Sequence, residues 1–139
     1  MIEFFKRHRN PQKAVTLSEL LLATAILAFV LSGLLMLFTK CMLLNDANRN
    51  LATATSHAEY VLEDIRQKVF STIQTNINNG TWDWNPGQIS GQGLTALGNE
   101  AIDTQASGSN PLRVTVTVTW IDRSQRARST FLETLITNY

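Results

Sequence analysis

The chain has 139 residues, room for one small domain plus an anchor. Its net charge of +1 hides an asymmetry: residues 1–14 carry four basic side chains against one acidic, the rest eight against ten. That slightly acidic remainder argues against a dedicated nucleic-acid binder, and a single cysteine, Cys41, excludes an intramolecular disulfide.

Residues 1–14, with Lys6, Arg7, Arg9 and Lys13, read as a leader rather than folded structure. From Leu20 to Thr39 no residue is charged, and a helix of that length spans the hydrocarbon core of a bilayer. A basic flank before such a span stays cytoplasmic, so the remainder is expected on the far side of the inner membrane. A secretory signal peptide would be cut after the apolar region at an A-x-A-like site, and Thr39-Lys40-Cys41 is not one. An uncleaved single-pass anchor fits the same residues. Cys41, beside Met42, Leu43 and Leu44, reads as a small buried or lipid-facing side chain. Glu19 stands at the edge of the span, where a carboxylate is costly and usually functional.

The segment Lys13-Ala14-Val15-Thr16-Leu17-Ser18-Glu19, running straight into the apolar stretch, resembles the N-terminus of type IV prepilins and of type II secretion pseudopilins. The resemblance covers residues 6–40. It implies cleavage by a prepilin peptidase between Ala14 and Val15, which makes Glu19 the fifth residue of the mature chain, and N-methylation of Val15. Family members more often have glycine before the cut and phenylalanine after it. It also implies an assembly role for Glu19, pairing with the free amine of an adjacent subunit. A buried pair of that kind sets register more than it adds stability, because desolvation offsets much of the attraction.

Beyond the span, residues 45–79 are expected to continue as an amphipathic helix. Apolar residues at 51, 58, 61, 62, 65, 69, 73 and 77 keep the three-to-four spacing of one helical face. Asn45, Asp46, Asn48 and Asn50 are poor helix formers and predict a bend or weakening between the two halves. Glu59, Glu63, Asp64, Arg66 and Lys68 read as a solvated face. Asn76 to Gly80 is a helix stop. Residues 80–111 read as a loop region, with Trp82 and Trp84 packing over the domain as a lid or, alternatively, offering a binding surface. Ser90-Gly91-Gln92-Gly93 lacks the lysine and the setting of a phosphate loop.

Residues 112–139 carry the clearest strand signal. Leu112, Val114, Val116, Val118 and Trp120 alternate with Arg113 and three threonines. Asp122 to Arg126 is the turn, and residues 128–136 return, with Thr130, Leu132, Thr134 and Ile136 on one face and Phe131 and Leu135 on the other. A hairpin alone is marginal, so a third strand, expected within residues 94–103, or burial against the helix must support it. The tail is similar to that of minor pilins of the pilus-modification class.

No catalytic constellation stands out. His8 lies in the leader, His57 is isolated on the helix as a surface or core-edge side chain, and no cluster has metal-ligand spacing, so neither enzyme activity nor a cofactor or metal is expected. The fold expected is α+β and pilin-like: a long N-terminal helix, one half (residues 15–44) for membrane and assembly, the other packed on a small C-terminal antiparallel sheet within a periplasmic or extracellular domain of residues 45–139. The resemblance implies a minor type IV pilin or, alternatively, a minor pseudopilin of type II secretion. Such a chain resides in the bacterial inner membrane as a single-pass protein and then moves into a pilus or pseudopilus. Its partners would be prepilin peptidase, other pilins or pseudopilins through the N-terminal helix, and inner-membrane lipid before assembly. An unprocessed membrane-anchored binding protein is the third reading.

Overall fold

The computed structural model describes residues 16–138. The fold is α+β: a long N-terminal helix whose outer half packs on a three-stranded antiparallel sheet. Two compact units meet in the chain between Met42 and Leu43, and helix α1 (Leu17–Arg66) runs through that boundary without interruption.

In the first unit every described residue is exposed, including Leu21, Phe29, Leu35 and Phe38. A helix apolar on all sides has no aqueous face, and this one is long and apolar enough to cross a membrane. Leu20–Thr39 gives about 30 Å of helix at ~1.5 Å per residue, the thickness of a hydrocarbon core. Its hydroxyls are satisfied within the helix. Thr24 donates to the Leu21 carbonyl (2.9 Å), Ser32 to Ala28 (2.8 Å) and Thr39 to Leu35 (2.9 Å). No side-chain polar group therefore needs water, as lipid requires.

The second unit has a conventional core. From α1 it takes Ala54, Ala58, Val61, Leu62 and Ile65, all buried. The helix is not interrupted at Asn45–Asn50, where a bend or weakening was expected. Weak propensity amounts to a few tenths of a kcal/mol per residue, too little to break it, and Asp46 there pairs with Arg123 at 3.4 Å. The break comes later. Val69 is extended (φ −65°, ψ 127°) and redirects the chain into α2 (Phe70–Asn78). Ile73 and Ile77 still reach the core, whereas Val69, expected on the same face, is 70% exposed. Leu51, the first residue of that face, is also exposed. Helix α2 stops as expected: Gly80 takes φ +69°, and the Thr81 amide donates back to the Asn76 carbonyl (3.1 Å).

The segment expected to be loop contains two further elements. Helix α3 (Pro86–Gly91) begins with a capping box, Asn85 accepting from the Gln88 amide and Gln88 from the Asn85 amide, with Pro86 in the first turn. Strand β1 (Ala101–Ser107) pairs antiparallel with β2 (Leu112–Ile121), which pairs in turn with β3 (Ala127–Ile136). The third strand thus overlaps the expected 94–103 only at its end, residues 101–103, and runs on to Ser107. Leu94, Ala96 and Leu97 pack on the core as irregular chain instead. Strand β2 is central and alternates as its sequence predicts, with Leu112, Val114, Val116, Val118 and Trp120 all buried. Each fully buried side chain of this kind contributes roughly 1.5–3 kcal/mol. At Gly108 (φ +81°) a Cβ would stand 3.1 Å from the Pro111 carbonyl oxygen, so the β1–β2 turn requires glycine.

Candidate functional site

The residue types singled out by the sequence gather at the start of α1. Ala14 and Val15, the expected cleavage and methylation positions, lie outside the described residues. Glu19 lies within them, in the first turn of the helix. Its Oε2 accepts hydrogen bonds from the Thr16 amide (2.9 Å) and the Thr16 hydroxyl (3.1 Å), while the Glu19 amide donates to Thr16 Oγ1 (3.3 Å). This is a reciprocal capping box. It satisfies two of the amides that a helix start leaves without partners and sets a negative charge at the positive end of the helix dipole. The sequence carries its signature, Thr-x-x-Glu before an apolar run, so the role of Thr16 was available there and was missed.

The geometry divides the carboxylate between two tasks. Oε2 is committed to its own helix. Among the described residues no donor lies within hydrogen-bond distance of Oε1. Glu19 is therefore held in one orientation while retaining acceptor capacity for an external cation. In hydrocarbon an uncompensated carboxylate is expensive, and the two hydrogen bonds from Thr16 offset part of that cost.

His57 is buried, not at the surface: its Nδ1 lies 2.7 Å from Glu100 Oε1, and Glu100 itself is fully buried. The other Glu100 oxygen accepts the Leu97 amide (2.6 Å). This pair ties α1 to the chain ahead of β1, and its partner 43 residues away could not be read from local sequence. Asp83 accepts both the amide and the hydroxyl of Thr104 (2.9 and 2.8 Å). Asp64 accepts from Trp82 Nε1 (2.6 Å) and pairs with Lys68 (3.1 Å). Partial burial pushes the Asp64 carboxyl up, but the Trp82 and Lys68 hydrogen bonds and the Lys68 charge outweigh it and hold it below the usual range. Among the described residues no group of three or more His, Cys, Asp or Glu side chains is placed to hold a metal ion.

Comparison of the chain with family models, with curated proteins and with solved structures returns no match. Trp82 and Trp84, the alternative binding surface, are 1% and 8% exposed. Trp82 is anchored to Asp64, and Trp84 is bridged to Ile102 by hydrogen bonds in both directions (3.0 and 2.9 Å). Trp84 also tilts against Tyr60 at 6.1 Å. Both rings close the core as a lid and present no recognition face. An open groove of about 720 Å³ between α1 and β3 is rimmed by Glu59, Glu63, Arg66 and Glu133, the solvated face that the sequence predicts.

Proposed function

We propose that this chain is a non-enzymatic assembly subunit, a minor type IV pilin, anchored by its apolar helix in the bacterial inner membrane and then incorporated into a pilus or its tip. The observation that carries the reading is Glu19: a carboxylate held by Thr16 at the first turn of a helix that carries no charge from Leu20 to Thr39, with no donor to its second oxygen among the described residues. Cleavage after Ala14 by prepilin peptidase would create an amine on Val15, and the Glu19 carboxylate of a neighbouring copy is its natural counter-charge. The exposed apolar surface between Leu17 and Met42 supports the same reading, because helices of this kind can exchange lipid for one another. A type II secretion pseudopilin would use the same residues. It is distinguished by appearing in a periplasmic pseudopilus rather than in surface filaments.

The test is the intact mass and N-terminal sequence of the protein isolated from its native membranes. A chain beginning at Val15, with or without one added methyl group, is the expected result. A chain retaining residues 1–14 in cells with active prepilin peptidase overturns the assembly reading and leaves a fixed membrane anchor. Substituting Glu19→Ala should preserve membrane insertion and remove the subunit from sheared filaments. Wild-type incorporation of that variant would refute the pairing role.

A further inference from the structure

The β2–β3 turn collects positive charge close to where the apolar segment ends. Arg123, Arg126 and Arg128 are all exposed. The turn is well ordered by Asp122, whose Oδ1 accepts the amides of Ser124 (2.8 Å) and Arg126 (2.9 Å) and whose Oδ2 accepts Arg128 Nε (3.1 Å). Arg123 reaches α1 at Asp46, 3.4 Å away. Asp46 is seven residues beyond Thr39, where the uncharged span ends, so along the helix it stands about 10 Å past the hydrocarbon core. The headgroup layer is itself roughly 5–7 Å thick, so Arg123, beside Asp46, stands within about one Debye length, ~8 Å, of the lipid headgroups that surround the end of an inserted span.

Charge and shape at this place are specific. Among the described residues Asp46 pairs with Arg123 and Asp122 with Arg128, while Arg126 has no acidic partner. Beside them lies a groove of about 380 Å³ with Leu44, Leu51 and Trp120 as its apolar lining and Asp122, Arg128 and Ser129 at its polar side. A protein surface that is apolar below and cationic above matches the boundary between acyl chain and phosphate. An acidic protein partner would have no use for the apolar lining.

We infer that the Asp122–Arg128 turn is a second membrane contact, which binds anionic phospholipid headgroups through Arg123, Arg126 and Arg128 and seats the domain on the bilayer in which α1 is anchored. The inference rests on the membrane-anchored part of the proposed function and not on its pilus part. Before assembly, this contact limits the freedom of the domain. Leaving the membrane then requires release of the turn as well as of the helix.

The test uses the full chain with Cys41→Ser and Ser124→Cys, spin-labelled at position 124 and reconstituted into vesicles of phosphatidylcholine alone or mixed with phosphatidylglycerol. The label's accessibility to a water-soluble collision reagent should fall about fivefold in the anionic vesicles, the weight of roughly one arginine at a charged surface. About 0.5 M NaCl should reverse it. Arg123→Gln with Arg126→Gln should abolish it, while sparing the Asp122–Arg128 pair that orders the turn. Should that double variant unfold, Arg126→Gln alone makes the same test. Equal accessibility in both lipids, with the chain floating with both vesicles, overturns the headgroup contact and leaves the anchor intact. A chain that floats with neither overturns the anchor and this inference with it.

Discussion

The two halves of α1 solve opposite problems with the same backbone. Beyond Leu43 the helix buries Ala54, Ala58, Val61, Leu62 and Ile65 against its own sheet, and every buried side-chain polar atom in the described structure has a partner. Among the described residues up to Met42 nothing is buried, and the Thr24, Ser32 and Thr39 hydroxyls are satisfied within the helix. The outer half is stabilised by its own chain. The inner half is complete only in an environment supplied from outside, whether lipid or other helices. Stability of the domain and behaviour of the anchor should therefore respond to different mutations.

The largest effect expected is from Trp82→Ala. It empties a core position and removes the partner of Asp64, and should cost the domain about 4 kcal/mol in urea unfolding of the detergent-solubilised chain. Vesicle flotation should be unchanged. A loss below about 1 kcal/mol would mean that the Trp82 segment is not part of the core. Next is Glu100→Ala, which leaves His57 and the Leu97 amide without their acceptor and should cost about 3 kcal/mol. If unfolding were unaffected, the pair would not hold α1 to the chain before β1.

Smaller still is Thr16→Val, which keeps the shape and deletes the hydroxyl half of the capping box. About 1 kcal/mol of helix-start stability should be lost, seen as faster amide exchange at residues 17–20 with no change in domain unfolding. Coupled unfolding of the domain would break the proposed independence of the two halves.

The smallest effect is that of pH. Asp64 is held low as described above. Asp122 is held low chiefly by the Arg126 amide, against some desolvation, with help from Arg128 and the Ser124 amide. A depressed carboxyl contributes stability above its unfolded value and loses it as pH falls through the folded one, so the domain should weaken below about pH 4. Urea midpoints measured from pH 6 down to 3 should show this decline, and Asp64→Asn with Asp122→Asn should flatten it. An unchanged slope in that variant would place the acid sensitivity in other groups.

Much of this architecture is legible in the sequence wherever a period is long and uninterrupted. The β2 alternation from Leu112 to Trp120 and the helical face from Ala58 to Ile65 both bury as written. The stop at Gly80 is equally local, because it depends on one residue's freedom at positive φ. Two features were written in the sequence but not taken up: the capping signatures at Thr16–Glu19 and at Asn85–Gln88. Others are not local at all. The His57–Glu100 pair exists only once the chain has brought α1 against the segment before β1. The redirection at Val69 leaves the spacing of Ile73 and Ile77 intact while turning Val69 itself outward, which periodicity cannot reveal. The unbroken helix through Asn45–Asn50 shows how little weak propensity alone decides.

The inward-turned hydroxyls of Thr24, Ser32 and Thr39 have one more consequence. With their protons directed to carbonyls of the same helix, they present little beyond carbon to a neighbour, and the surface from Leu20 to Thr39 becomes a nearly uniform sliding face. Such a surface can hold neighbours close without dictating where along its length they stop. In the proposed assembly, positional information is left to the charged end of the rod, where the Glu19 carboxylate would set the axial position of the helix.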